Sequence, residues 1–216
     1  MEEYDIAIVG GGPAGMFAAL ILAMAGLCPI VLERGDDAVT RHEKVQKFFE
    51  TGQLDTRSNV QFGEGGAGTF SDGKLTTGIK DSRCRFVFQE FVSHGAPEDI
   101  LTNAKPHIGT DKLKETVKNI REEIISLGGT VLFETQLVDV IVANKVIHGV
   151  TVKDKFGKEK DIETDALILS VGPLSTTAGA ALSTTGASVV IVTPSFLLSF
   201  GVVSLSSTTG VSPVFS

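Results

Sequence analysis

The feature that most constrains this chain is a glycine-rich turn between an apolar strand and an apolar helix at its amino-terminal end. An apolar run at residues 6–9 predicts a buried strand, and the helix after the turn reaches Gly26. A second apolar strand at residues 30–32 leads to Glu33. Three glycines occupy the turn at the spacing Gly-x-Gly-x-x-Gly, namely Gly10, Gly12 and Gly15. This order of elements predicts a Rossmann-like βαβ unit.

Each glycine of the turn has a separate role in such a unit. Gly10 permits the tight change of direction, Gly12 lets the backbone approach a pyrophosphate, and Gly15 allows the helix to pack closely on the strand. The helix that begins near Pro13 and Ala14 directs free N–H groups and its positive dipole end toward a phosphate. The turn is therefore predicted to bind a dinucleotide, and the alternative is a glycine-rich turn without a ligand.

Glu33, at the end of the second strand, has the position of a ribose-binding carboxylate. Its oxygens can accept hydrogen bonds from both hydroxyls of an adenine ribose, whereas a 2′-phosphate would be repelled there. The ribose of either FAD or NAD satisfies this position equally well.

The composition limits the other classes of function. The chain has 216 residues, a net charge of −7 and a pI near 5.1, and this acidic balance argues against a nucleic-acid surface. Cys28 and Cys84 have neither CxxC nor metal-ligand spacing, so a reducing compartment and no metal site are expected. The acidic amino end does not resemble a secretory signal. The expected location is the cytoplasm.

A second glycine-rich segment, NVQFGEGGAGTFSDGKLTTG at residues 59–78, follows a polar stretch. Its successive N–H groups, with Gly65 and Gly66 at the centre, predict an anion-binding nest. Ser71 could add a hydroxyl donor, and Lys74 could neutralise a phosphate or a substrate carboxylate. The alternative is a flexible surface loop.

The remaining elements follow from apolar spacing and turn residues. Helices are predicted at about 42–50, at 81–94, and from an N-cap at Thr110 to a stop at Gly128. Short strands are predicted at 130–134, 137–143, 146–152 and 158–163. These four strands should form a meander on the parallel sheet, and a strand at 166–171 should return to the centre of the sheet.

Three stretches resemble the amino-terminal part of the glutathione-reductase-like class of FAD-dependent oxidoreductases. They are GGGPAG followed by Glu33-Arg34, the helix, strand and meander from Thr110 to Val152, and LILSVG at 167–172. The second glycine-rich segment more closely resembles a signature of uncharacterised prokaryotic FAD-dependent dehydrogenases, also described as NAD(P)/FAD-dependent oxidoreductases. This resemblance covers about residues 4–172.

The resemblance implies an α/β fold: a Rossmann-like FAD-binding domain over residues 1–172, with a helical insertion at about 36–109 and an antiparallel β-meander. It implies FAD as cofactor, NAD(P)H as a candidate electron donor and a small-molecule substrate. The adenine would contact the backbone of Val138, and the second glycine-rich segment would lie near the flavin. The implied cofactor-binding residues are Gly10, Gly12, Pro13, Ala14, Gly15, Glu33, Arg34, Gly65, Gly66, Ser71, Val138 and Gly172.

The resemblance stops at Pro173, although members of that family normally continue for several hundred residues. Residues 166–216 contain no Asp, Glu, Lys, Arg or His, whereas about a quarter of the residues in an ordinary domain are charged. Residues 173–216 are therefore expected to be an uncharged Ser/Thr/Val-rich tail on a truncated flavoprotein.

Three hypotheses for the tail stay open. The leading one is an out-of-frame or otherwise unselected translation. A membrane anchor over residues 187–205 is disfavoured by its Ser, Thr and Pro content and by the lack of flanking Lys or Arg. The third is a strand-forming or disordered appendage with a tendency to aggregate.

The sequence assigns no catalytic acid or base, no substrate and no oligomeric state. Its four histidines are scattered, and His107 is the best candidate among them. Without CxxC, the dithiol chemistry of the disulfide reductases is not expected. The alternatives to an FAD-dependent oxidoreductase are an NAD-binding dehydrogenase and a non-catalytic dinucleotide-binding fragment.

Overall fold

The fold is α/β: helices cover one face of a mixed parallel and antiparallel β-sheet, and a β-meander covers the other face. The computed structural model describes residues 2–71, 73–75 and 81–171, and the backbone alone of 190–194 and 200–204. The helices are α1 (Pro13–Met24), α2 (Ala38–Thr51), α3 (Arg83–Ser93) and α4 (Thr110–Ser126). The strands are β1 (Glu3–Val9), β2 (Pro29–Leu32), β3 (Thr130–Leu132), β4 (Gln136–Ala143), β5 (Val146–Lys153), β6 (Glu159–Leu169), β7 (Val190–Pro194) and β8 (Phe200–Ser204). Short 3₁₀ helices occupy Ala67–Phe70 and Glu98–Leu101.

The predicted βαβ unit forms the centre of the sheet, whose strand order is β3-β2-β1-β6-β5-β4. β1 pairs in parallel with β2 and β6, and β2 pairs in parallel with β3. β4, β5 and β6 form the antiparallel meander. β3 therefore belongs to the parallel sheet, and its predicted place in the meander is wrong.

β6 connects the two parts of the sheet, and it corrects the prediction of two strands at 158–163 and 166–171. Glu163 is paired on both sides, with Glu3 of β1 and with Gly149 of β5. Because the two ladders overlap at this residue, the chain continues through the polar residues of the predicted break as one strand.

The core follows from the alternation of side chains along β1 and β2. Ile8 and Val31 point to the face covered by α1, α3 and α4, where Leu20 and Ile124 are fully buried. The neighbouring side chains on these strands point to the opposite face and pack against the meander. Burial of one side chain such as Leu20 stabilises the fold by about 1.5–3 kcal/mol.

The helices agree with the predictions except at their amino ends. α2 begins at Ala38, earlier than predicted, because the Asp37 carboxylate caps it by accepting from Val39 N and Thr40 N over 2.9 and 3.2 Å. α4 has Gly109 in the N-cap position, with φ +84, and the predicted cap Thr110 is its first helical residue. None of the helices in the described ranges is long and apolar enough to cross a membrane.

Two backbone segments of the predicted tail are described. β7 pairs in parallel with the carboxyl end of β6, and β8 pairs antiparallel with β7. The rest of residues 173–216 lies outside the described residues, so the hypotheses about the tail stay predictions.

Candidate dinucleotide-binding site

The turn between β1 and α1 has the close contacts that its first and third glycines were predicted to allow. Gly10 has φ +105, and a Cβ added to it would lie 2.7 Å from the carbonyl oxygen of Ser170. A Cβ added to Gly15 would collide with the carbonyl oxygen of Gly10 and lie 2.6 Å from Ser170 Oγ. The hydroxyl of Ser170 in turn donates to the carbonyl oxygens of Val9 and Gly10, both at 2.9 Å. Only glycine fits at these two turn positions.

Gly12 faces open space, in contrast to its neighbours. No heavy atom lies within 4 Å of a Cβ added there, and Gly12 has φ −74 and ψ 178, a conformation open to any residue. It is the N-cap of α1, and no side chain caps the helix. The first-turn N–H groups, beginning after Pro13, therefore stay available for an anion in this space. A pyrophosphate fits this arrangement.

Glu33 lies directly beside the turn. Its side chain is buried, its Oε2 accepts from Gly11 N and its Oε1 accepts from Gly35 N, both over 2.7 Å. Each carboxylate oxygen has a further lone pair. The two main-chain bonds thus fix the carboxylate while leaving acceptors for ribose hydroxyls.

The second glycine-rich segment packs against the first. Gly65 N donates to Gly11 O over 2.8 Å, and Gly65 and Gly66 have φ +76 and +64. A Cβ added to Gly66 would lie 3.2 Å from Pro13 Cδ and 3.4 Å from Gly12 Cα. Within the described residues, this segment is part of the candidate site and not a surface loop.

Arg41 of α2 holds the second glycine-rich segment, a role that was not predicted from the sequence. The side chain is fully buried, and its guanidinium donates to four main-chain carbonyls, those of Asn59, Val60, Glu64 and Gly66. Burial lowers the pKa of Arg41 to about 10, although Glu33 and Glu64 oppose this shift, so the group stays charged at neutral pH. The sequence indicated the burial of Arg41 only through its spacing: Arg41 lies one helical turn before Val45 and so on the same, buried face of the helix.

Glu64 is a second fully buried charged residue that was not predicted. Its Oε2 accepts from Ala38 N over 2.7 Å and from Arg121 Nη1 over 3.0 Å. Its Oε1 has no hydrogen-bond partner in the described part of the chain. Burial raises the pKa of the Glu64 carboxyl, and Arg121 and the Ala38 N–H partly oppose the shift. Glu64 therefore connects the segment to α2 and α4.

The remaining predicted site residues are Arg34, Ser71, Val138 and Gly172. The Ser71 hydroxyl donates to Gly68 O over 2.8 Å and accepts from Gly73 N over 3.2 Å, so it stabilises its own loop. The Arg34 guanidinium lies 4.6 Å from the centroid of the Phe62 ring. Val138 is the extra residue of a bulge in β4, between the paired Leu137 and Asp139. Gly172 lies outside the described residues.

The histidines and cysteines do not form a reactive cluster in the described ranges. His42 Nδ1 lies 3.0 Å from Lys114 Nζ, and His94 Nδ1 lies 2.6 Å from the carbonyl oxygen of Glu90. His107 pairs with Lys74 through an isolated backbone bridge. Cys28 and Cys84 are both free thiols. No group of possible metal ligands is present among the described side chains.

Residues 4–192 match the family described as Pyridine nucleotide-disulphide oxidoreductase. The chain belongs to this family. An uncharacterized protein of Clostridium beijerinckii is 52% identical over 165 residues, which cover 76% of this chain and 30% of that protein. The chain therefore spans less than a third of the length of this relative. The family match includes both glycine-rich segments and Glu33.

Solved structures establish the fold class. THI4 from Thermovibrio ammonificans is similar with a TM-score of 0.56 and 18% identity, and the match covers 85% of this chain and 63% of that chain. Glycerol-3-phosphate dehydrogenase from Bacillus halodurans, solved in complex with FAD, is similar with a TM-score of 0.51 and 16% identity, covering 79% and 34%. The predicted α/β, Rossmann-like fold is confirmed.

Proposed function

We propose that this chain is the FAD-binding part of an FAD-dependent oxidoreductase. The observation that carries the proposal is the open space at Gly12, the N-cap of a helix that no side chain caps. The fixed carboxylate of Glu33 accepts from the neighbouring Gly11 N, and Gly66 lies against Gly12 and Pro13. Positive helix-end groups and a ribose acceptor at these positions suit the adenosine-pyrophosphate half of a dinucleotide.

Each part of the site has an assigned role in the proposal. The N–H groups after Gly12 and Pro13 bind the pyrophosphate, and Glu33 accepts from the adenine ribose. The backbone of Val138 contacts the adenine, since a bulge releases main-chain groups from the strand ladder. Gly65 and Gly66 border the cofactor on the flavin side. Arg34, Ser71 and Gly172 are proposed as further cofactor-binding residues, without an individual contact assigned to each. FAD supplies the hydride chemistry when it is bound.

The second glycine-rich segment favours FAD over NAD as the resident dinucleotide. An adenosine-pyrophosphate site needs only the turn, the first helix turn and Glu33. Here a further backbone segment reaches the turn through Gly65, and we assign this segment to the flavin side of the pyrophosphate. NAD(P)H is proposed as the electron donor, in keeping with the pyridine-nucleotide family to which the chain belongs. An NAD-binding dehydrogenase is the alternative.

The substrate is proposed to be a small molecule, and the location is proposed to be the cytoplasm, which agrees with two free cysteines. No catalytic acid or base is assigned to the described residues. Because the chain spans 30% of its relative, a dinucleotide-binding fragment that does not turn over is the second alternative.

The test is a titration of the purified chain with FAD, followed by visible absorption and by identification of any nucleotide released on denaturation. We expect flavin to stay with the chain through gel filtration. Calorimetry with NAD is the matched comparison, because tighter binding of NAD than FAD would overturn the FAD assignment. Addition of NADH or NADPH without oxygen should then bleach the flavin absorption, and bound flavin that no donor reduces would identify a non-catalytic fragment.

A further inference from the structure

Arg41 is a buried cation, and all of the hydrogen bonds of its guanidinium go to the second glycine-rich segment at residues 59–78. Its Nε donates to Asn59 O over 2.8 Å and its Nη2 to Val60 O over 2.9 Å. Its Nη1 donates to both Glu64 O and Gly66 O, over 2.6 and 2.8 Å. One guanidinium thereby orients four peptide groups, with their carbonyls pointing toward α2.

The orientation of each carbonyl also fixes an N–H group on the other side of the same peptide. In a trans peptide, the C=O of one residue and the N–H of the next point in opposite directions. The Glu64 carbonyl points to Arg41, so the N–H of Gly65 points away from it. This N–H donates to Gly11 O over 2.8 Å. Arg41 thus directs one N–H group to the dinucleotide turn.

The peptide between Gly66 and Ala67 obeys the same rule. Its carbonyl accepts from Arg41, so the N–H of Ala67 points away from the guanidinium. No acceptor for this N–H is found among the described residues. Gly66 itself lies against Pro13 and Gly12, the two residues at which the proposed function places the pyrophosphate.

We propose that Arg41 is a positioning residue for the dinucleotide, which directs the Ala67 N–H to the phosphate bound at Gly12 and Pro13. The proposal rests on the proposed function. The geometry requires arginine, because a planar guanidinium has five donors in a fixed arrangement, whereas the ammonium of lysine is a single point with three. Gly63 is required as well, since a Cβ there would lie 2.5 Å from Arg41 Cδ.

The first test compares Arg41→Lys with Arg121→Lys. Arg121 is the matched control, because it belongs to the same buried cluster but bonds the Glu64 side chain and no carbonyl of the segment. The measurements are the FAD dissociation constant, the ³¹P resonances of bound FAD, and urea unfolding of the cofactor-free chain. We expect Arg41→Lys to weaken FAD binding about tenfold and to shift a ³¹P resonance, as expected for one charge-assisted hydrogen bond.

The second test removes the N–H group without changing Arg41. Ala67→Pro deletes the donor, and the extended ψ of −165° at Gly66 suits the position before a proline. Ala67→Ser keeps the donor and is the control. We expect about tenfold weaker FAD binding for Ala67→Pro and no change for Ala67→Ser. If Arg41→Lys does not fold, Ala67→Pro alone tests whether the Ala67 N–H binds the phosphate.

The outcomes separate this proposal from the proposed function. A wild-type chain that binds FAD, with Arg41→Lys and Ala67→Pro binding it equally well, overturns the role of Arg41 alone. The role is also overturned if both lysine variants lose affinity only in proportion to their loss of stability, with unchanged ³¹P resonances. A wild-type chain that binds neither FAD nor ADP overturns the proposed function and this role together.

Discussion

The main-chain N–H of Gly65 donates to the carbonyl oxygen of Gly11 over 2.8 Å. This bond joins the two glycine-rich segments, which α1, β2 and α2 separate in the sequence. Gly65 has φ +76, and a Cβ there would collide with Thr69 Oγ1 and lie 3.2 Å from Val117. The contact therefore depends on a position that only glycine occupies without strain.

Gly12→Ala is expected to separate binding from stability. Its backbone torsions suit alanine and no atom lies within 4 Å of the added Cβ, so the free energy of unfolding should stay within about 0.5 kcal/mol of wild type. The new methyl group would occupy the space assigned to the pyrophosphate, and FAD affinity should fall at least tenfold. Urea unfolding and FAD titration measure the two effects. Unchanged FAD affinity would place the cofactor elsewhere.

Gly15→Ala is expected to act on stability instead. The added Cβ would collide with Gly10 O and lie 2.6 Å from Ser170 Oγ, and backbone at this contact has little freedom to move. The free energy of unfolding should fall by about 1–3 kcal/mol or more, as measured by urea unfolding without cofactor. Gly12→Ala is the matched control. Equal stability of the two variants would contradict the close packing of Gly15 against Gly10 and Ser170.

Glu33→Gln is expected to weaken the turn even without a cofactor. The carboxylate accepts from Gly11 N and Gly35 N with different oxygens, and an amide has an acceptor for only one of them. The loss should be about 1–3 kcal/mol in the free energy of unfolding. The exposed Glu115 of α4 provides the control Glu115→Gln, which should be close to wild type in urea unfolding.

Asp37→Ala is expected to destabilise α2 by about 1 kcal/mol, because it removes the N-cap. Asp37→Asn keeps a capping oxygen and should lose less. Burial alone would raise the pKa of Asp37, but the hydrogen bonds from Thr40 and Val39 outweigh it and lower the pKa below 3.8. The charged cap therefore stabilises the fold at pH values above 3.8, and this stability is lost as the pH falls through the lowered pKa. Urea unfolding of the wild-type chain and both variants across this pH range measures the contribution.

Glu64→Gln is expected to change the pH dependence of stability. Burial raises the pKa of Glu64 above its ordinary value of 4.5, so the folded state holds a proton that the unfolded state has released. Wild-type stability should consequently decrease relative to the variant as the pH rises from 4.5 through the raised pKa. Urea unfolding of both chains across this range measures the difference. A wild-type advantage that grows with pH would show that the ion pair with Arg121 outweighs burial.

The βαβ unit was predictable because its signals are local. Three spaced glycines, an apolar helix and an acidic strand end lie within one continuous stretch, and the structure places Glu33 beside the turn as expected. The start of α2 was predictable in principle from Asp37, whose cap is also local.

The burial of Arg41 and Glu64 was not predictable in the same way. Both are charged residues that become buried only when α2, α4 and the second glycine-rich segment come together. The continuity of β6 also depends on distant residues, because Glu3 and Gly149 pair with Glu163 from both sides. The helical spacing of Arg41 from Val45 could indicate that it faces the core, but a single-sequence pattern does not identify the partners in contact there.

The position of β6 has a consequence for synthesis on the ribosome. β1 is translated before β6, yet β6 is its partner on one side and ends only at Leu169, and Ser170 bonds the backbone at Gly10. Sequence-distant pairing of this kind slows folding, because a long loop must close before the contact forms. The turn between β1 and α1 is therefore translated long before β6 and Ser170 complete its contacts, so a nascent chain halted before β6 has the glycine motif without these contacts.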